Sequence, residues 1–453
     1  MIRRFHSLFK SDGLKGRTLR STLAAIWLAG GGQMLRFASN LVLTRLLFPE
    51  AFGLMALVQV VIGGMLMLSD VGLRGSVVQN ARGDDPVFLN TVWTVQILRG
   101  VVLWAIVSLL GGVFAGVFDQ PELTYILPVA GLTLIIQGLY STKVLTAQRH
   151  LQLGRHAWLT LIAQAIGLVM MSALAYMLQS VWALVSGMLV HPAIAVVLYA
   201  RYLEGHSDRL ALERDSLRDI FNLGKFLTVS SIATYVMTQS DRAVLGTIIS
   251  IDLLGIYGLA LALTMIPMRL TQRLAGSVVF PLYRMRHPLD SAANQRNLFR
   301  VRRMLVTGGL ALLGTIALLG PWLVDVLYDD RYQAAGATSV LLAAAFMPRM
   351  IMVGAMNTAI ARGQSYPMMV VNLTTAFVQI ALLITLTPSL TIIGAAIAIA
   401  IAPIVTYPIT AMYLVKYKTW DKISDLAFML FIIGILSSAI TLHFDKILQL
   451  KNY

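Results

Sequence analysis

Residues 32–47, "GQMLRFASNLVLTRLL", form an apolar stretch with an arginine, Arg36, set partway along it. The stretch otherwise reads as part of a membrane helix, and a guanidinium inside one has to be accounted for. The rest of the chain says which solvent the helix sees. Of 453 residues, 57% are hydrophobic and 13% charged. A soluble chain carries about 25% charged residues, so there are too few here to build a water-facing surface. The fold class read from this composition is an all-α polytopic membrane protein.

Twelve apolar runs of span length follow one another: 21–45, 52–73, 99–118, 123–146, 157–178, 181–200, 226–250, 254–276, 304–327, 334–360, 367–387 and 391–415. A thirteenth, 426–444, is long enough to cross, and crossing is preferred here to an interfacial strip. Odd connections are short and neutral or acidic, as in "FPEAF", "FDQPEL" and "TPSLT". Even connections hold the cations, among them Arg82, Lys143, Arg149, Arg201 through Lys225, Arg362 and Lys416. The basic tail "MIRRFHSLFKSDGLKGRTLR" falls on the same side, and no cleavable signal follows it. This alternation predicts a cytoplasmic N-terminus. The net charge of +15 therefore reports orientation. A nucleic-acid partner is excluded, because no basic run is interleaved with the aromatics of a strand-binding platform.

The polar segment after the sixth run, 201–225, divides the chain. The expected organisation is a tail (1–20), a first lobe (21–203), a linker (204–224), a second lobe (225–415) and a C-terminal segment (416–453). The linker, with Glu213 before Arg214 and Arg218, reads as a solvated helix. "LLFPEAFGLMAL" (46–57) and "IISIDLLGIYGL" (248–259) align without a gap at an offset of 202. Six spans between them make the repeat parallel, about a pseudo-two-fold axis along the membrane normal.

Depth then selects the candidate site. Arg36 lies about 13 Å inward of Arg45, and Asp241 and Arg242 lie about 16 Å inward of Asp252. Arg349, directly after Pro348, lies about 20 Å from Arg362. All are near the midplane, where a lipid-facing charge costs about 3 kcal/mol, so they should line a cavity with net positive potential. The repeat sets Arg36 and Asp241 within a turn of equivalent places, as a gate, a substrate clamp or a structural pair. Asp70, Arg74, Arg99, Arg269 and Arg273 sit toward the cytoplasmic mouth, where snorkelling or a latch explains them as well as substrate contact does. Gln33, Gln59, Gln137, Gln164, Asn357, Asn372 and Gln379 either line a cavity or join helices. There is no cysteine, phosphate loop or metal-ligand spacing, so neither an enzyme nor a metal is expected.

"LTRLLFPEAFGLMAL", "LSDVGLRGSVVQ" and "LNTVWTVQILRG", with "VVFPLYRMRHP" and "LYDDRYQAAGATSVLLAAAFMPRM", resemble the polysaccharide-transporter branch of the multidrug/oligosaccharidyl-lipid/polysaccharide (MOP) exporter superfamily. The resemblance covers residues 20 to about 420. It implies a Wzx-type flippase in the bacterial inner membrane, with two six-helix lobes in a V around a cationic cavity. Its substrate would be an undecaprenyl-diphosphate-linked oligosaccharide, moved to the periplasmic leaflet for exopolysaccharide, capsule or lipopolysaccharide. Arg36, Arg349 and Arg242 would then be the cavity cations and Asp241 the gate or coupling residue. A proton or sodium ion is a candidate driver, polysaccharide polymerase and export proteins are candidate partners, and no cofactor is implied. Longer members carry two further spans, and the sequence here has room for one. The competing readings are a small-molecule or drug antiporter of the same superfamily, which favours a negative cavity, and a membrane glycan polymerase or ligase, which needs a large periplasmic loop.

Overall fold

The computed structural model describes residues 14–69, 73–150, 152–279, 290–355, 357–361, 364 and 366–450. Its elements are helical: α1 (Leu14–Leu46), α2 (Pro49–Leu68), α3 (Leu73–Gln79), α4 (Pro86–Leu109), α5 (Gly111–Val117), α6 (Leu123–Gly138), α7 (Lys143–Arg149), α8 (Leu153–Leu178) and α9 (Val181–Tyr202). Then follow α10 (Arg214–Leu245), α11 (Ile251–Leu274), α12 (Ala292–Leu327), α13 (Ala334–Ile351), α14 (Asn357–Ala361), α15 (Tyr366–Lys416) and α16 (Lys422–Gln449). The described residues of the thirteen expected apolar runs are largely helical, although runs 99–118, 123–146 and 334–360 are each divided between two helices. Among the described residues nine helices are long and apolar enough to cross a membrane, or ten if the bent pair α6–α7 is one span. The C-terminal α16 is one of the nine. The long helices α1 and α10 carry charged residues and fall outside that count.

Helix starts follow local chemistry. Pro49 and Pro86 supply the fixed φ of a first helical position, and Asp85 accepts from the Val87 amide at 3.0 Å. Ser250 caps α11 as Phe48 precedes α2, at the 202-residue offset of the repeat. Several exposed aromatics lie near connections, Tyr125, Tyr176, Trp182 and Trp322 beside neutral or acidic ones and Trp158, Tyr202 and Tyr366 beside basic ones. Only 17% of the apolar window of α8 and 22% of that of α16 is buried, so most of their apolar surface is left for lipid.

The chain forms two compact units: the chain up to Ala51 with Val58–Ile232, and Phe52–Leu57 with Ala233–Tyr453. The division falls inside α10, later than the linker read from the sequence. In the first unit α8 packs on α9 and α1, and α6 on α4 and α9. In the second unit α13 is central, packed against α11, α12, α15 and α16, with 83% of its window buried. Its small residues allow this, since a Cβ on Gly336 would come 2.8 Å from the Pro321 Cα.

Two differences from the expected spans, and one agreement, have physical causes. First, α4 begins at Pro86, thirteen residues before the expected start at 99. Its first turns carry a polar stripe that holds the linker. Asn90 Oδ1 accepts from the Arg209 amide at 2.9 Å, Thr94 Oγ1 from Ala211 at 3.0 Å and Thr91 Oγ1 from Glu213 at 3.1 Å. Residues 204–213 are therefore a non-helical strap, and Glu213 pairs with Arg82 at 2.8 Å instead of serving a solvated helix. Second, the expected run 334–360 is broken: α13 stops at Ile351, and Gly354, at φ 76°, turns the chain before α14. Third, the 51 residues of α15 double back at Thr391, at φ 48° and ψ −124°. The reversal brings Thr375 Oγ1 within 2.9 Å of Thr406 Oγ1, so α15 is two spans, as "TPSLT" predicts.

A buried ion pair ties the C-terminal helix to the second unit. Arg302 Nη2 lies 2.7 Å from Asp425 Oδ1, both side chains almost fully buried, and donates to the Ile351 carbonyl at 3.0 Å. The Tyr407 hydroxyl donates to Asp425 Oδ2 at 2.6 Å and accepts from Trp420 Nε1 at 3.0 Å. The sequence reading passed over both charges.

Two stability tests follow from these contacts. A Cβ on Gly394 would meet the Leu386 carbonyl oxygen at 2.5 Å across the hairpin. Gly394→Val should cost about 1–3 kcal/mol, whereas Thr391→Gly, relieving a β-branched residue at positive φ, should gain about 1 kcal/mol. Thermal unfolding in detergent reads both. Asp425→Ala, which strands a buried guanidinium, should cost about 3–5 kcal/mol. The pair Arg302→Met with Asp425→Leu should cost clearly less in the same assay, because it removes both charges together.

Candidate functional site

Two of the three cations that the sequence places near the midplane, Arg36 and Arg349, line cavities, one inside each unit. In the first unit, a glycine run on α1 lets that helix approach α8: a Cβ on Gly31 would touch Leu161, and one on Gly32 would sit 3.0 Å from Gln164 Oε1. On α8, Gly167 admits His191 of α9, its added Cβ lying 2.9 Å from the His191 Cβ. Pro192 removes the amide that would bond the Met188 carbonyl, and Thr133 Oγ1 approaches that carbonyl at 3.4 Å. Between these helices is a cavity of about 370 Å³, lined by Arg36 and Ser39 from α1, Gln164 and Met171 from α8, and Gly187 and His191 from α9. Arg36 is exposed toward this open space. Gln164 Oε1 and His191 Nε2 are buried and make no hydrogen bond. No carboxylate is among the lining residues.

The second unit's cavity, about 360 Å³, forms where α13 breaks. Its wall includes Arg349, Met352–Ala355 at the break and Asn357 on α14. Gln272 and Ala275 lie opposite, where α11 passes into a π-helical turn, Ala275–Val279. Thr234 of α10 and Asn372, Thr375 and Thr410 of α15 complete the polar lining. Irregular backbone at membrane depth is tolerated where it borders a cavity and its polar groups find partners. Here Met352 and Val353 donate to the Arg349 and Met350 carbonyls, Arg302 to Ile351, and Asn357 Nδ2 to Ala275 at 3.3 Å. Arg349 is the one ionisable residue among those lining this cavity.

The remaining candidates are placed as follows. Asp241 is 3% exposed and accepts from the Tyr257 hydroxyl at 2.5 Å, while its Oδ1 has no partner. Arg349 is within its electrostatic reach. The second unit thus brings Asp241, Tyr257 and Arg349 together, and Tyr257 was not foreseen. Arg242 Nη1 donates to Gln239 Oε1 at 3.2 Å and lines neither cavity. Arg99 caps the end of α2, donating to Ser69 Oγ at 2.9 Å and to the Leu66 carbonyl at 2.6 Å, which favours its structural reading. Arg269 and Arg273 are exposed on α11. Asp70 lies outside the described residues, as does the side chain of Arg74. Of the uncharged candidates, Gln164, Asn357 and Asn372 line cavities, whereas Gln379 joins helices, donating to the Met237 carbonyl and to Ser240. Among the described residues no cluster of His, Asp and Glu could hold a metal. His191 was missed because a lone histidine in an apolar run carries no spacing signal.

Outside the spans, the strap is held by charge. Arg82 and then the Val87 amide hold Asp85 below its ordinary 3.8, and Ser216 and then Arg82 hold Glu213 below its ordinary 4.5. Around Asp84, burial pulls the carboxyl up, but His150 and Arg149 outweigh it and the net shift is downward. Groups with depressed values stabilise the fold above their ordinary range, and that stabilisation is lost as pH falls through the lower folded values. Protease resistance of residues 204–213 should therefore be flat from pH 8 to about 5 and fall only below about 4. Arg82→Gln should expose the strap at every pH in the same digestion.

The comparisons bear on this geometry. A family model described as "polysaccharide biosynthesis protein" matches residues 42–337. The teichuronic acid biosynthesis protein TuaB of Bacillus subtilis (strain 168) is 19% identical over 278 residues, 61% of this chain and 57% of TuaB. The lipopolysaccharide biosynthesis protein WzxC of Escherichia coli (strain K12) is 24% identical over 247 residues, 53% of this chain and 49% of WzxC. The chain thus spans about half the length of the curated relatives it matches. Among solved structures, the lipid II flippase MurJ in an inward closed conformation superposes with a TM-score of 0.69 at 14% identity, covering 92% of this chain and 91% of MurJ. An inward-facing multidrug resistance MATE transporter of the MOP superfamily gives 0.56 at 14% identity, covering 93% and 99%. At these identities the two structures establish the fold, which is that of the MOP transporters.

Proposed function

This chain belongs to the polysaccharide biosynthesis protein family, and from that premise we propose that it is a flippase for a polyprenyl-diphosphate-linked oligosaccharide. The observation that carries the reading is that each unit encloses a polar cavity with an arginine and no carboxylate in its lining. A diphosphate leaving water needs cations that dehydrate at modest cost and present paired donors, which the guanidinium fork does. Arg36 in the first unit's cavity and Arg349 in the second unit's cavity are each assigned as a ligand for an anionic head. The amides and hydroxyls around Arg349 suit the hydroxyl-rich glycan, since they donate and accept without charge. Its polyprenyl tail stays in membrane lipid.

Asp241 is assigned the gate. Buried against Tyr257 and in reach of Arg349, it competes with an incoming anion for positive charge, so occupancy of the cavity and the state of this carboxylate are linked. Arg242, beside it in sequence, is hydrogen-bonded to Gln239 and lines neither cavity, so it is not assigned to the substrate. The protein acts in the bacterial inner membrane with its N-terminus in the cytoplasm, following the charge of its connections, and hands its glycan to polymerase and export proteins. A drug antiporter with a cation substrate would favour carboxylates in the cavity wall, and neither lining has one.

Complementation of a flippase-deficient strain tests the assignment, with surface glycan scored against membrane abundance of the protein. Arg36→Ala and Arg349→Ala should each leave abundance near wild type and cut export at least about tenfold, with Lys restoring it only in part. Asp241→Asn should also impair export. Export unchanged in both arginine variants would remove the diphosphate reading. Abundance falling together in Arg349→Ala and Asp241→Asn would make that pair structural.

A further inference from the structure

We propose that His191 is a second ligand of the anion in the first unit's cavity, taking up a proton from water when the anion binds and returning it on release. This rests on the reading of that cavity as a diphosphate site. His191 projects from α9 just before Pro192, where Gly167 of α8 leaves room for its Cβ. Its Nε2 is buried without a hydrogen bond, and so is Gln164 Oε1 on the same cavity wall. Buried polar atoms of this kind are costly to leave unpaired, and two of them on one cavity beside Arg36 mark a place shaped for a polar occupant.

The charges around the imidazole decide what that occupant is. From α1 it faces Arg36, whose charge acts on it. From α8 it faces Gln164, which is uncharged, and from α6 the nearby polar group is Thr133, occupied with the Met188 carbonyl. On α7, Lys143 is held by the Ala200 carbonyl at 2.8 Å, nine residues further along α9. No lining carboxylate offers a counter-charge. A second cation beside Arg36 is therefore favourable only when an anion is present. By linkage the proton and the anion each raise the other's affinity. With Nε2 protonated, the imidazolium donates to a phosphate oxygen, and a hydroxyl or water satisfies Gln164. The linkage sets affinity in the first unit and leaves the direction of transport to other groups. It also differs from the strap carboxylates, which titrate well below the range of histidine.

The test uses the full chain in lipid nanodiscs and inorganic pyrophosphate as the probe. Calorimetric titrations at pH 6 and pH 8, in two buffers of different ionisation enthalpy, give affinity and protons taken up. The wild type should bind about tenfold more tightly at pH 6, beyond the probe's own titration. His191→Gln should lose that excess and its share of proton uptake, and His191→Asn stands in should the first variant fold poorly. In the wild type, pyrophosphate at pH 7.5 should move one imidazole ¹⁵N signal from neutral to protonated, and the variants should lack it. Binding that falls in Arg36→Ala but keeps its pH response in His191→Gln overturns the role of His191 and leaves the diphosphate reading standing. Binding unaffected by either substitution, or absent from folded wild type, overturns the assignment of the diphosphate to this cavity.

Discussion

Arg302 joins three helices through one guanidinium. Its Nη2 faces the Asp425 carboxylate of α16 at 2.7 Å and donates to the Ile351 carbonyl, the last of α13. The directed hydrogen bond goes to the carbonyl, and the ion pair is close without being aligned, which leaves Arg302 Nε without a partner. That division of labour follows from lipid as solvent, since a helix may stop inside a membrane protein only where its terminal carbonyls find donors. Arg302 lets α13 stop. Because α13 stops, residues 352–355 can line a cavity, and Arg349 stands one turn before the break with its side chain on that cavity. The C-terminal helix, remote in sequence, is therefore part of what permits the cavity.

The same constraint recurs with different chemistry. The strap between α9 and α10 has backbone amides that no strand or helix would satisfy, and the side-chain oxygens of Asn90, Thr91 and Thr94 take that role. Arg99 does for the end of α2 what Arg302 does for α13. In each case a polar side chain supplies hydrogen bonds that a neighbouring segment's backbone needs. Arg99 and Arg302 complete the backbone of helix ends, and Arg36 and Arg349 line cavities.

How much of this was legible in the sequence depends on whether a feature leaves a local pattern. Apolar length did, so most membrane-length helices could be read from it, and "TPSLT" marked the turn that the structure places at Thr391. The charge at Arg36 stood out against an apolar background, as did Asp241 and Arg349. The break after Ile351 did not, because "MIMVGAMN" is as apolar as any continuous span and its cause, Arg302, lies in a basic stretch that reads as a loop. Asp425 was hidden likewise, one acid in a polar segment whose partner is more than a hundred residues away. The start of α4 was missed since "NTVWT" looks too polar for a helix in lipid, and its polarity belongs to the strap. Tyr257 and His191 became visible only with their neighbours, for an aromatic or a lone imidazole in an apolar run is usually core.

Ile220 is fully buried in one cluster with Leu73, Val77, Phe88, Leu89 and Val92. It lies beyond the sixth apolar run and beyond the strap, on the first turns of α10. The first unit consequently cannot complete its core until the ribosome has passed residue 220, at a synthesis rate of about 5–20 residues per second. Until then Phe88 and Leu89 lack the side chain that covers them in the folded unit. A protein divided at the polar linker, the obvious place to cut by composition, would leave this plug on the wrong fragment.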